Sequence, residues 1–161
     1  MIDKNKALKE YSKEELIEAL NSKKDIDSYF LLKLVYEENA KTDKYYSYFD
    51  DFFKMIYDKS SFKRMRGFGL CSSLAKWDKD KKIDEHLSEL LILLEDEKPI
   101  TIRTVIANIK DILKYKPYLA KTIKNNLKRI DVKKYKETMI PLIEKDIKEL
   151  EEIIDSLDVN C

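Results

Sequence analysis

An all-α fold of stacked helical hairpins is predicted by three features of this 161-residue chain. Only 2 Gly and 3 Pro are present, which leaves little room for tight turns or strained loops. Charged residues make up 39% and hydrophobic residues 43%, the mixture that amphipathic helices need. Apolar residues also recur at helical spacing in one segment after another, several of them opened by a capping signal. The length suits a single domain over residues 1–161, able to bury roughly two-thirds of its unfolded surface without a disulfide or metal staple.

The elements follow in order. Ser12 with Glu15 forms a capping box before Leu16, Ile17 and Leu20, so a short helix is predicted from about 12 to 21, broken by Asn21 and Ser22. The segment from Ile26 to Tyr36 is apolar on nearly every side, as expected of a helix enclosed by its neighbours. From Asp43 to Tyr57 the aromatic positions keep a helical period, and Ser60 or Ser61 then caps a helix ending near Trp77. After the charged linker Asp78 to Lys82, one helix carries Ile83, Leu87, Leu90, Leu91 and Leu94. The next carries Ile102, Val105, Ile106, Ile109, Ile112 and Leu113, with Pro99 in its first turn. Pro117 opens a further helix, and Asp131 caps a last one that kinks or restarts at Pro141 and runs to about Leu157. About four hairpins result, and the polar outer face of the last helix suits the capping end of a stack.

Charge and cysteine usage exclude several classes. With 32 Lys and Arg against 31 Asp and Glu, no global field draws the chain to nucleic acid or an anionic membrane. Cys71 and Cys161 are far apart, and neither belongs to a CxxC pair or adjoins the single histidine, so a reducing cytoplasm fits. Met1 to Glu10 lacks an apolar leader core, and the longest apolar run, Leu90 to Leu94, is far below the roughly 20 residues that span a bilayer. No membrane association is expected.

Placing Asp58 on Asp96 also sets Phe62 on Ile100, Phe68 on Ile106, Leu74 on Ile112 and Trp77 on Tyr115, a period of 38 residues. That spacing is close to the ~40 to 47 of HEAT units, so a HEAT-like α-solenoid with its second helices innermost is the predicted architecture. The stretches SSFKRMRGFGLCSSLAKWDKDKKID, DEKPITIRTVIANIKDILKYKP and IPLIEKDIKELEEI resemble small bacterial helical-repeat proteins, sometimes labelled SufBD-like or grouped near DNA alkylation-repair glycosylases. The resemblance spans roughly Tyr45 to Ile154 and implies a right-handed HEAT-like stack. An iron–sulfur assembly role would go with a Gly-rich, β-branched core, which this composition does not supply, and no cofactor is expected.

No nucleophile stands beside a base, no Gly-rich phosphate loop occurs, and His86 with Asp84, Glu85 and Glu89 reads as the solvent side of an amphipathic helix. The chain is therefore expected to be a non-catalytic binding or scaffold module for a protein partner. A nucleic-acid-binding or glycosylase-like protein is the alternative, with Trp77 and Asp78 as the pair to compare with a base-holding site. Arg103, Lys110 and Lys114 share one face of their helix, and with Arg66 they form the candidate concave binding stripe. The competing structural reading pairs Arg103 and Arg64 with cap acids such as Asp96 and Asp58. A second basic concentration, ten Lys and Arg from Lys110 to Lys136 against Asp111 and Asp131, includes the convex row Lys121, Lys124 and Lys128. It precedes a segment from Glu137 to Cys161 with eight acids against Lys145 and Lys148, and the two either compensate each other or present a basic surface.

Overall fold

The computed structural model describes residues 6–22 and 26–159, and every helix and turn in them is α or 3-10. Cys161 and the side chain of Ile26, both used above, lie outside the described residues. Among the described residues there is no strand, and no helix is long and apolar enough to cross a membrane. Within the span read as one repeat domain, contacts cluster into two compact units, Met1–Asp78 and Lys79–Cys161, and the chain boundary between them falls in the charged linker.

In the first unit, α1 spans Lys13–Leu20 and α2 spans Ile26–Lys41. Ser12 Oγ accepts from the Glu15 amide at 3.1 Å, the expected cap, but the Glu15 carboxylate turns to Lys6, so the box is half made. Helical backbone from Tyr46 to Tyr57, with α3 (Phe49–Lys54) at its middle, then packs on α4 (Ser61–Ser73). The enclosed element is α4 and not α2. Tyr29 and Phe30 on α2 are 61% and 48% exposed, whereas α4 buries the consecutive run from Arg66 to Ser72. A helix surrounded on all sides is filled here by small residues, since neighbours can then approach its backbone from several directions. At Gly67 an added Cβ would stand 2.7 Å from Met55 Cβ and 2.8 Å from the Phe52 carbonyl oxygen.

The second unit opens with α5 (Lys82–Glu85) and α6 (Leu87–Leu90), continued by a 3-10 turn over Leu91–Glu95. One helix was expected here, and the backbone breaks it at His86 while keeping Ile83, Leu87, Leu90, Leu91 and Leu94 buried. α7 (Pro99–Tyr115) begins on its proline and buries all six predicted apolar positions. After a 3-10 turn at Pro117–Leu119 comes α8 (Ala120–Leu127), and after a second one at Val132–Lys134, capped by Asp131, comes α9 (Ile140–Val159). The last helix thus restarts beside Pro141. α7 packs against Leu91–Glu95 and α9, and α8 packs against the same two partners.

Several residues 38 positions apart are alike in burial. Phe49 and Leu87, Phe52 and Leu90, Ile56 and Leu94, Phe68 and Ile106, and Leu74 and Ile112 are equivalent pairs, and all ten residues are buried. Polar clasps repeat in the same register. Asp58 Oδ1 accepts from the Ser60 amide at 2.8 Å, and Asp96 Oδ1 from the Lys98 amide at 2.9 Å, so each turn is set by the same side chain to start the helix that follows. Tyr46 Oη donates to Asp78 at 2.7 Å, and one period later Lys116 Nζ donates to Asp84 at 2.5 Å. Each clasp ties the start of a first helix to the chain just past the second helix of the same unit.

Candidate interaction surface

The basic row predicted on α7 lies on the solvent side of that helix, where Lys110 and Lys114 are exposed and Arg103 half-buried. Each flanks the apolar stripe that holds α7 in the core, about 120° around the helix from its centre, so their direction follows from the period that buries Ile102, Ile106 and Ile109. The helix alongside is α9, and Arg103 meets one of its acids. Arg103 Nε donates to Asp146 Oδ2 at 2.6 Å and Nη2 to Oδ1 at 3.4 Å, a forked pair. A shallow cleft lined by Arg103, Ile106, Ala107, Lys110, Asp146 and Glu149 continues from this pair toward the later turns of both helices. Lys114 rests over the Tyr115 ring at 5.3 Å. Arg103, Lys110 and Lys114 therefore share one face as read from the sequence, but the partner of Arg103 is Asp146 and not the cap acid Asp96.

Arg66 leaves the candidate set. It is 5% exposed, and its guanidinium donates to the Leu20 carbonyl at 3.1 Å, the Ser22 carbonyl at 3.0 Å and Ser28 Oγ at 3.0 Å. It belongs to the interior of the first unit, where it satisfies the carbonyls left open at the end of α1. Arg64 also takes backbone, the Asp58 and Lys59 carbonyls at 3.0 and 2.9 Å, so it ties its own helix start. Replacing Arg66 by lysine keeps the charge but cannot span three acceptors. The expected cost is about 1–2 kcal/mol, read as a lower urea midpoint with unchanged slope.

The second basic concentration is partly neutralised in three dimensions. Lys116, counted there as a surface cation, is 4% exposed and held by Asp84, which also accepts from Tyr118 Oη at 2.5 Å. Burial opposes the Asp84 charge, but hydrogen bonds from Lys116 and Tyr118 and the Lys116 charge outweigh it and hold the carboxyl below its usual range. Lys124 of the convex row pairs with Asp155 on α9 at 2.6 Å, and Arg129 pairs with Glu95 at 2.8 Å. Tyr135 Oη and Lys134 Nζ donate to the Asp96 and Glu95 carbonyls, and burial pushes the Tyr135 hydroxyl up to about 12. Lys121 and Lys128 remain exposed.

The residues weighed for chemistry have structural partners. Trp77 Nε1 donates to the Asn39 carbonyl at 2.7 Å, while Asp78, 6% exposed, accepts from Tyr46. His86 Nδ1 lies 3.2 Å from Glu89 Oε1 one turn on. Among the described residues no three His, Cys, Asp or Glu side chains converge to hold a metal ion. Burial pushes the Cys71 thiol well above its usual range, with nearby Asp78 and Asp50 adding to the shift, so the reactive thiolate is suppressed. Comparison of the chain with protein-family models, with curated proteins and with solved structures finds no match in any of the three.

Proposed function

We propose that the chain is a non-catalytic binding module, a HEAT-like α-solenoid of about four hairpins, working in a reducing cytoplasm and receiving a protein partner on the α7 side of its second unit. The observation that carries this reading is the pairing of Arg103 on α7 with Asp146 on α9, together with the place of Glu149 beside Lys110 in the same cleft. Phosphate backbone needs uncompensated positive charge along its path. Here a phosphate approaching Lys110 also meets Glu149, whereas a protein surface carrying both signs is complementary to such a ribbon. Exposed Ile100 on α7 and Leu142 on α9 add apolar contact of the kind a protein partner uses. The repeated clasps support the architecture, because Asp78, Asp84 and Lys116 hold helices together and are not presented to a substrate.

Affinity capture from native extract, with and without nuclease, tests the reading. The captured protein is expected to survive nuclease, to fall at least about tenfold with Lys110→Glu and Lys114→Glu together, and to persist with Lys121→Glu and Lys128→Glu. Capture abolished by nuclease and restored by added nucleic acid would favour the nucleic-acid alternative.

A further inference from the structure

We propose that the α7 and α9 face is a self-association surface and that its occupant is a second copy of this chain. This rests on the reading of that face as protein-binding and names the partner. The cleft runs from Arg103 and Asp146 on to Lys110 and Glu149, so α7 and α9 advance side by side in the same direction. One helix presents Arg103, Lys110 and Lys114, and the other presents Asp146, Glu149 and Glu152, three acids with Lys145 among them. A basic row beside a parallel acidic row is complementary to itself about a two-fold axis parallel to the helices. That rotation lays the α9 of the second copy over the α7 of the first, and the reverse, whereas an axis across the helices sets like charge on like.

Apolar positions obey the same symmetry. Ile100, 62% exposed, lies one turn before Arg103, and Leu142, 40% exposed, lies one turn before Asp146. The parallel axis therefore brings Ile100 of each copy against Leu142 of the other. Arg103 and Asp146 already hold each other within the chain, but among the described residues Lys110 makes no ion pair and Glu149 has only Lys145 at 3.9 Å. These are the charges able to gain most across the axis. Net charge of +1 leaves almost no repulsion between copies. The ridge from Ile100 to Lys114 is about 21 Å long and two helices wide, which gives a small interface and hence weak, salt-sensitive association.

Sedimentation velocity of the full chain over a concentration series at low salt provides the test. The wild type is expected to pass from monomer to dimer and to dissociate as salt is raised. Lys110→Glu with Lys114→Glu makes both rows acidic, and Glu149→Lys with Glu152→Lys makes both basic, so each double variant alone should be monomeric. An equimolar mixture of the two should recover a dimer, which also shows that both are folded. Ile100→Ser, which alters no charge, should weaken the wild-type dimer several-fold. A wild type that stays monomeric, or a dimer indifferent to both reversals, or folded variants whose mixture stays monomeric, overturns the proposal. If the wild type is monomeric while Lys110→Glu with Lys114→Glu still abolishes capture from extract, self-association fails and the protein-binding face stands. If that double variant changes neither, both fail.

Discussion

Replacing Asp84 by alanine is expected to destabilise the second unit by about 3–5 kcal/mol, because it leaves the buried Lys116 ammonium without its carboxylate. Lys116 is 4% exposed and enters the core just past α7, so its charge cannot turn to water without moving the chain that opens the Pro117 turn. The pair itself adds little net stability over a hydrophobic substitute, so Asp84→Leu with Lys116→Met should recover most of the loss. Chemical unfolding of the three proteins measures this directly. A pH dependence goes with it. Asp84 is held below the ordinary carboxyl value of 3.8, so the stability it contributes is complete above that value and is lost as pH falls through the lower folded one. The wild-type midpoint should therefore drop on acidification below about pH 4, and the Asp84→Ala protein should lack that component.

Gly67→Ala is expected to cost the first unit about 3 kcal/mol, although alanine favours a helix by roughly 1 kcal/mol over glycine. The added methyl would fall 2.7 Å from Met55 Cβ and 2.8 Å from the Phe52 carbonyl oxygen, and neither can swing aside as a side-chain tip does. α4 would have to separate from the Phe49–Tyr57 segment, loosening contacts around Phe52 and Phe68, both fully buried. Lys63, half-buried near the start of the same helix, should accept alanine at much smaller cost. A thermal melt of the two variants separates steric exclusion from a general intolerance of α4 to substitution.

Where burial follows from one helical stripe, the structure was legible. All six predicted apolar positions of α7 are buried, and Ser12 and Pro99 mark the starts expected of them, whereas Asp131 caps only the 3-10 turn at Val132–Lys134 and the last helix begins at Ile140. What periodicity could not show was how neighbours close around a helix. α2 looked enclosed because its residues are large and apolar, yet α4 is the enclosed one, and its filling of Gly67, Gly69, Cys71 and Ser72 leaves almost no hydrophobic signature. Arg66 looked like a surface cation because its acceptors lie far away in sequence, at Leu20, Ser22 and Ser28. Lys116 was hidden in a run of lysines. Its signal was the 38-residue register, which places Asp84 on Tyr46 and Lys116 on Asp78, two polar pairs at one structural position. For the binding face, the row on α7 could be read from spacing alone, but its neutralisation by Asp146 depends on the chain returning 43 residues later.

Direct titration of labelled duplex and single-stranded nucleic acid with the purified chain at low salt tests most plainly whether the α7 face serves protein or phosphate. Compensation of Arg103 by Asp146 predicts no saturable binding, and no difference between the wild type and Lys110→Glu with Lys114→Glu. Saturable binding that weakens steeply with salt and disappears in that double variant would contradict the account.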